Sequence, residues 1–226
     1  MPRTIVITGA SRGIGQELAR AYARAGDAVI AGMRKLNSAH ALQSTDGVQA
    51  AQIDVADAAS VEAFRRDLAD RPVDILINNA GVAGGERQSL RDMDYDAWRE
   101  ALEVNTLAPF RLTTALLPNL EKAQRAKVIT LTSQMGSLHR NSVGHFAYRS
   151  SKAAANKVMQ VMAWELRDRG IIVCPMHPGW VRTDMGGPEA DVSVEESVKG
   201  LMATIDRLEI ADSGRFWTWE GNEHPW

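Results

Sequence analysis

Short runs of apolar, often β-branched residues recur along the chain and alternate with segments in which apolar residues repeat at helical spacing. Such a run, bounded by glycine or polar residues, predicts a strand buried on both faces. The predicted strands are Arg3–Thr8, Asp27–Met33, Val48–Ile53, Val73–Ile77, Lys127–Thr132, Ile171–Met176 and Arg215–Trp219. Because strands and helices alternate throughout, we predict an α/β fold, a doubly wound parallel sheet of about seven strands with helices on both faces.

The intervening segments carry apolar residues at helical spacing, and several of them have recognisable caps. The predicted helices are Gln16–Ala25, a helix that runs through Val61 and Phe64 to Leu68, Tyr95–Leu120, a helix that contains Tyr148 and Lys152 and ends at Arg169, and a helix from Ser193 to about Leu208. The predicted caps are Asp57 and the Ser193–Glu196 capping box at helix starts, and Gly26 and Gly170 at helix ends.

Length and composition narrow the class of protein. At 226 residues, with 45% apolar and 24% charged side chains, the chain fits one domain with a substantial core. A formal charge of −2 without a charge run gives no indication of a nucleic-acid partner. Cys174 is the only cysteine and lies in an apolar run, so a buried side chain is expected. No apolar segment approaches the roughly 20 residues that span a bilayer, and we expect a cytoplasmic protein without a metal.

The first strand runs directly into Gly9-Ala-Ser-Arg-Gly-Ile-Gly15, which is followed by a helix. Glycines let the backbone approach a pyrophosphate, and the free N–H groups at the helix start bind its charge. This order of elements is typical of one half of a nucleotide-binding βαβ unit. The predicted cofactor-binding residues of this segment are Gly9, Ser11, Arg12, Gly13, Ile14 and Gly15.

The end of the second strand bears on which dinucleotide the chain would favour. A cofactor with a free ribose 2′-hydroxyl usually meets an acidic residue at this position, whereas here Met33 is followed by Arg34 and Lys35. Together with Arg12 in the glycine turn, these bases suit a dianionic 2′-phosphate. We therefore expect NADP(H) rather than NAD(H), with a merely solvated Arg34-Lys35 loop as the alternative.

Two further segments carry polar groups whose role the local sequence leaves open. Asn78-Asn79-Ala80-Gly81 follows the fourth strand, where it forms either a cofactor wall or a turn stabilised by asparagine side chains. Pro109 has no N–H, so the carbonyl of Asn105 is expected to lose its helical partner. That carbonyl either holds a water of a proton relay from Lys152 or marks a kink that improves packing.

Tyr148 and Lys152 stand four residues apart in a helical segment, so their side chains leave the same face one turn apart. A phenol ionises at a pKa of about 10, and a cation one turn away favours the phenolate. The pair is suited to passing a proton to or from a substrate oxygen. A half-buried tyrosine beside a solvated lysine is the alternative for this spacing alone.

Taken together, these segments resemble the short-chain dehydrogenase/reductase family over almost the whole chain. Thr8–Gly15 is similar to the family's cofactor turn, and Asn78–Gly81 is similar to its second motif. The strings SQMGS, AYRSSKAAAN and HPGWVRTDMGGP are more similar to the small carbonyl reductases of the Sniffer and C-signal type. The resemblance implies a single-domain Rossmann fold over residues 1–226.

The family's roles, carried over to the matching positions, imply a catalytic tetrad. Tyr148 would be the general acid in reduction and the base in oxidation, and Lys152 would lower its pKa and hold the nicotinamide ribose. Ser133 would hydrogen-bond the substrate oxygen, with Ser137 as a rival, and Asn105 would hold the relay water. Further implied cofactor contacts are Asp54 and Asn79 on the adenine side, Thr183 at the carboxamide, and Ala80, Gly81, Pro178, Gly179 and Val181.

Two stretches depart from the family pattern. The loop between Ser133 and Tyr148 is longer than in many members, and its His139 and His145 are expected to be loop residues rather than catalysts. The lid segment Asp184–Val192 is short, which implies an open site and a broad range of aldehydes or ketones. The predicted substrate-lining residues are Trp180, Met185 and His145.

The implied function is an NADP(H)-dependent oxidoreductase acting on a small-molecule carbonyl/alcohol pair. The alternative is a catalytically weak cofactor-binding sensor or signalling protein on the same fold, which the presence of Tyr148, Lys152 and Ser133 disfavours. Family members often pair through the C-terminal region and the two long helices, so we expect a homodimer or homotetramer. The C-terminal aromatics Phe216, Trp217, Trp219 and Trp226 are expected in the core.

Overall fold

The computed structural model describes residues 2–39, 42 and 44–226. Its strands are β1 (Thr4–Thr8), β2 (Ala28–Met33), β3 (Val48–Gln52), β4 (Ile75–Asn78), β5 (Lys127–Leu131), β6 (Ile172–His177) and β7 (Trp217–Thr218). Neighbouring strands pair in parallel in the order β3-β2-β1-β4-β5-β6-β7. The order reverses between β1 and β4, where open α/β sheets bind ligands. The predicted doubly wound fold class is confirmed.

The helices cover both faces of this sheet. They are α1 (Gly13–Arg24), α2 (Ala58–Leu68), α3 (Tyr95–Leu102), α4 (Ala108–Ala115), α5 (Leu117–Leu120), α6 (Phe146–Leu166) and α7 (Val194–Arg207). A π-helical turn covers Glu103–Leu107, and 3₁₀ turns cover Leu36–Ala39, Gln134–Gly136, Arg167–Arg169 and Ile210–Asp212. Within the described ranges, none of these helices has the length and apolar character needed to cross a membrane.

Alternate residues of each strand point to opposite faces, and this divides the core in two. Ile5 and Ile7 of β1 pack with α1 and α7, whereas Val6 packs with α2, α4 and α6. The predicted caps form as expected: the Asp57 carboxylate accepts the Ala59 N–H, and Ser193 and Glu196 make a capping box. Gly170 ends the α6 segment in the left-handed conformation at φ 70°.

The prediction of one continuous helix over Tyr95–Leu120 is wrong. It is divided into α3, a π turn, α4 and α5. The N–H of Ala108 bonds the carbonyl of Glu103, five residues earlier, and Pro109 follows at the start of α4, where its missing N–H is tolerated.

The last strand is also shorter than predicted. Only Trp217–Thr218 pairs with β6, because the backbone next to it turns back on itself: His224 N donates to Phe216 O at 2.7 Å. Phe216 and Trp217 are buried as expected. Trp219 packs against the core from a half-buried position, and Trp226 stacks on Phe216 with ring centroids 5.8 Å apart.

Candidate active site

The glycine turn lies at the carboxyl end of β1, beside the point where the strand order reverses. Gly9 and Gly13 have φ values of +65° and +56°, which a residue with a Cβ adopts only at a cost. Helix α1 starts at Gly13, and its N-cap residue Arg12 makes no side-chain capping bond. The turn itself is held by Gln16 Nε2, which donates to Ser11 O at 2.9 Å. An uncapped helix start with a tight glycine backbone is suited to a pyrophosphate.

Asn79 explains why two of the glycines are required. Its Nδ2 donates to Thr8 O and Gly9 O at 2.8 and 3.1 Å. A Cβ on Gly15 would lie 2.3 Å from that Nδ2, and a Cβ on Gly9 would lie 2.9 Å from the Cα of Ala80. The Asn78–Gly81 segment therefore packs directly on the glycine turn, and the Asn79 side chain stabilises that turn rather than a turn of its own segment.

The structure brings the predicted tetrad together around the first turns of α6. Lys152 is 5% exposed, and its Nζ donates to Leu131 O at 2.8 Å and lies 5.8 Å from the centroid of the Tyr148 ring. Burial lowers the pKa of Lys152 to about 8. A Cβ on Gly81 would lie 3.5 Å from Nζ, so the second motif closes over the lysine.

Ser133, rather than its rival Ser137, reaches the tyrosine. A side-chain hydrogen bond with Ser133 favours the Tyr148 phenolate, whereas Ser137 Oγ donates to Pro225 O at 2.8 Å. Ser133 Oγ also accepts the Met135 N–H at 3.1 Å, which fixes the hydroxyl at the start of the Gln134–Gly136 turn. This turn contacts α6 so closely that a Cβ on Gly136 would lie 2.6 Å from the Lys152 carbonyl carbon.

The expected effect of Lys152 on the pKa of Tyr148 stays a prediction. Burial of the half-buried Tyr148 raises its pKa, and the hydrogen bond with Ser133 offsets only part of this increase. The Lys152 ammonium donates its hydrogen bond to Leu131 O and lies beside the tyrosine ring. Both groups are therefore held towards their neutral forms.

Asn105 lies in the π turn, and both the oxygen and the nitrogen of its carboxamide form hydrogen bonds. Its Oδ1 accepts the Val82 N–H, and its Nδ2 donates to Val82 O and to Ser151 Oγ, each at 2.9 Å. These bonds attach the segment after β4 to α6. Its implied role as holder of a relay water stays a prediction.

The segment after β6 forms the other wall of the cleft. Gly179 has a φ of +92°. Val181 forms a β-bridge with Val192, so the two ends of the lid segment lie next to each other. Thr183 lies against the glycine turn, since a Cβ on Gly13 would be 3.3 Å from its Cγ2. Pro178 O accepts a hydrogen bond from Ser197 Oγ at 2.6 Å, which ties this segment to α7.

The three predicted substrate-lining residues are all exposed. Trp180 is 47% exposed and donates from Nε1 to Gly186 O at 2.8 Å, and Met185 is 52% exposed. His145 is the N-cap residue of α6 and has a left-handed backbone at φ 54° without a capping side chain. Their accessibility is consistent with an open mouth.

The structure shows where two of the basic residues predicted for the 2′-phosphate lie. Arg34 is exposed at the end of β2, whereas the guanidinium of Arg12 pairs with Asp184 at 2.7 Å. That Arg12 faces the same corner as Arg34 stays a prediction; in this structure the lid offers the Arg12 guanidinium a carboxylate. Asp54 turns one oxygen to the Ala56 N–H at 3.1 Å. The cleft thus has glycine backbone, an uncapped helix start and an exposed arginine, which together fit a phosphorylated dinucleotide.

Gln88 is a site residue that sequence reasoning missed. It lies in an irregular loop with no local motif, yet its Oε1 accepts the backbone N–H of Tyr148 at 3.1 Å. Thr8 was noted only as part of the glycine motif, and its Oγ1 accepts the N–H groups of Asn79 and Ala80, each at 3.1 Å. The position of Thr8 before Gly9 is a usable signal, but nothing local marks Gln88.

Comparison with known proteins agrees with this geometry. Residues 3–194 match the short chain dehydrogenase family. The chain is 44% identical to C-signal of Myxococcus xanthus over 167 residues, which is 74% of this chain and 100% of C-signal. Among solved structures, it is similar to NADPH-bound carbonyl reductase from chicken fatty liver, with a TM-score of 0.92, 32% identity, and 100% and 99% of the two chains covered. It is also similar to carbonyl reductase Sniffer of D. melanogaster, with a TM-score of 0.91, 26% identity and both chains covered completely.

The strand order, the glycine turn and the Ser133–Tyr148–Lys152 cluster agree with the family that the comparisons identify. The chain therefore belongs to the short-chain dehydrogenase/reductase family, within its carbonyl reductase type, and is an oxidoreductase.

Proposed function

We propose that this protein is an NADP(H)-dependent oxidoreductase that interconverts a small carbonyl compound and its alcohol. The observation that carries the proposal is the meeting of Ser133, Tyr148 and Lys152 at one place: the Ser133 side chain lies close enough to the tyrosine to favour its ionised form, and a buried ammonium lies beside the tyrosine ring. The glycine turn opens onto the same cleft, since a Cβ on Gly81 would lie 3.5 Å from Lys152 Nζ and one on Gly15 would lie 2.3 Å from Asn79 Nδ2.

In the proposed reduction, Ser133 and Tyr148 bind the substrate oxygen between their hydroxyls. Tyr148 Oη gives its proton to that oxygen as negative charge develops there, and the buried Lys152 ammonium stabilises the phenolate that remains. The nicotinamide, when bound, supplies or accepts the hydride at the carbon. In the opposite direction, the phenolate takes the proton from the alcohol. Burial raises the pKa of Tyr148, which makes the neutral acid the resting form.

The proposed preference for NADP(H) rests on charge. Arg34 is exposed at the end of β2, and no acidic residue follows this strand directly. The relative from chicken fatty liver was solved with NADPH bound. An Arg34→Ala variant should raise the KM for NADPH about tenfold or more, because a charge-assisted bond contributes about 1.5–3 kcal/mol, and should leave the KM for NADH almost unchanged. Equal effects on both cofactors would contradict a 2′-phosphate contact at Arg34.

The decisive experiment follows the loss of NADPH absorbance with a panel of aldehydes, ketones and quinones. Tyr148→Phe should reduce kcat by about 10²–10⁴-fold, the usual contribution of a general acid. The matched control is Tyr95→Phe, because Tyr95 is 63% exposed on α3 and should retain wild-type activity. Turnover that survives in Tyr148→Phe would sink the assignment of the proton donor.

A second candidate is a cofactor-binding signalling protein, since one relative at 44% identity is named C-signal. That candidate predicts tight NADPH binding without turnover on any member of the panel. The presence of all three reactive side chains at one place favours the enzyme.

We also propose a homodimer formed through the helices that carry the site. Leu107 and Phe110 are each 49% exposed one turn apart, and Val161 and Trp164 on α6 are 43% and 67% exposed. Large apolar side chains at helical spacing on an outer face are typical of a covered interface. Residence in the cytoplasm stays a prediction.

A further inference from the structure

Helix α6 begins without a cap of its own, although it carries the proton donor. Its N-cap residue His145 makes no side-chain bond to the helix, and the first turn contains no acidic residue. The first N–H groups of a helix need partners from outside it. The N–H of Tyr148 finds one in Gln88 Oε1, 60 positions earlier in the chain, at 3.1 Å.

Gln88 is itself held rigidly. Its side chain is 8% exposed, and its Nε2 donates to Ala83 O at 2.9 Å and to Gly85 O at 2.7 Å. Gly84, between those two carbonyls, has a φ of +82°, and a Cβ there would lie 2.7 Å from the Cβ of Ala147. The loop and the first turn of α6 are therefore in direct contact, with no room for a side chain between them.

The same loop is attached to α6 at a second point. Asn105 bonds both backbone groups of Val82 and also the hydroxyl of Ser151. Two buried carboxamides thus fasten the segment that follows the cofactor wall to consecutive turns of the catalytic helix. Ser133 comes from a different element, the end of β5, so its distance from the Tyr148 hydroxyl depends on where this helix turn is held.

We propose that Gln88 is a positioning residue: by holding the N–H of Tyr148, it fixes the first turn of α6 so that the tyrosine hydroxyl meets Ser133 and the substrate oxygen. This inference rests on the proposed carbonyl reductase function. Proton transfer requires heavy atoms within about 3 Å of one another, and a displacement of about 1 Å can cost about 10²-fold in rate. A remote glutamine can therefore affect kcat without touching the substrate.

The test compares Gln88→Leu, which removes the acceptor and both donors, with Gln88→Glu, which keeps an acceptor for the Tyr148 N–H. The matched control is Asn119→Leu, because Asn119 is 3% exposed and its Nδ2 also bridges two backbone carbonyls, those of Ala69 and Arg71. It lies outside the cleft, so its loss should reduce stability and leave kcat within about twofold, as for substitutions away from the chemistry.

Gln88→Leu should lower kcat by about 10–100-fold while the KM for NADPH changes much less, because positioning of the acid is lost and the glycine turn is untouched. Gln88→Glu keeps the acceptor for the Tyr148 N–H but turns its second oxygen towards Ala83 O and Gly85 O, so it should recover only part of that kcat. The alkaline limb of the pH–rate profile should move to higher pH in Gln88→Leu, since the bond from Ser133 that favours the phenolate is weakened.

A second measurement keeps the inference independent of turnover. The chain has three tyrosines, so an ultraviolet titration of each variant, corrected with Tyr148→Phe, reports the ionisation of Tyr148 directly. A higher pKa for Tyr148 in Gln88→Leu and a wild-type pKa in Asn119→Leu support the positioning role even if the wild type reduces no tested carbonyl. Wild-type kcat and tyrosine titration in Gln88→Leu, with only stability lost, would overturn it. If Gln88→Leu fails to fold, Gln88→Met, which also removes the acceptor and both donors but keeps the length of the side chain, decides by the same titration.

Discussion

Lys152 should make the protein less stable at neutral pH than a chain with an apolar residue in its place. The side chain is 5% exposed, and burial lowers its pKa from 10.5 to about 8. At 1.36 kcal/mol per pKa unit, this difference corresponds to about 3 kcal/mol of unfavourable free energy for burying the ammonium. A substitution of Lys152 by an apolar residue would remove this unfavourable free energy, but it would also lose the hydrogen bond to Leu131 O, which contributes about 1 kcal/mol. Lys152→Met should therefore raise the free energy of unfolding by about 2 kcal/mol at pH 7 while abolishing activity.

The pH dependence of this gain follows from the direction of the shift. Below the folded pKa of about 8, both the folded and the unfolded chain carry the proton, and the full penalty is present. Between this value and the unfolded pKa of 10.5, the unfolded chain binds more protons, so the stability of the wild type rises with pH. The difference between Lys152→Met and the wild type should be largest at neutral pH and should shrink over this window.

Urea unfolding of the cofactor-free protein at a series of pH values measures this difference. The control is Lys157→Met on the same helix, because Lys157 is exposed and its Nζ donates to Gln160 Oε1 at 2.8 Å. That change should stay within about 0.5 kcal/mol, as for surface substitutions. A Lys152→Met variant that is less stable than the wild type at pH 7, or a difference that does not vary with pH, would refute the reasoning.

Three further changes test other parts of the structure. Thr132→Val should raise the free energy of unfolding by about 1 kcal/mol in urea titrations, because the Thr132 hydroxyl is buried without a hydrogen-bond partner among the described residues. The control is Thr113→Val, which should lower the free energy of unfolding by a similar amount, because the Thr113 hydroxyl donates to Pro109 O at 2.7 Å. A loss of stability in Thr132→Val would contradict this. Gly15→Ala should lower stability by about 3 kcal/mol and weaken NADPH binding in a fluorescence titration, because its methyl would lie 2.3 Å from Asn79 Nδ2; unchanged binding would separate the glycine from the cofactor site. Trp164→Glu should convert the proposed homodimer to a monomer in light scattering, and a wild type that is already monomeric would remove that proposal.

Several features could be predicted from the sequence because they depend on neighbours in the chain. The strands follow from short apolar runs, and the caps at Asp57 and Ser193 follow from residue type and spacing. The predicted bounds of helices and strands are less accurate where backbone hydrogen bonds decide them. The π turn beside Pro109 and the short β7 depend on backbone hydrogen bonds that the local sequence pattern does not show.

At the site, the glycine turn and the spacing that places Tyr148 and Lys152 on one face of α6 could be predicted from the chain alone, since both are properties of a single segment. Only the tertiary structure decided the pairing of Arg12 with Asp184, the bond from Gln88 to Tyr148, and the pKa of Lys152. The physical reason is common to all three. Partners distant in sequence and the degree of burial arise only when the segments pack, and in this site they set the protonation of the reacting groups and the position of the proton donor.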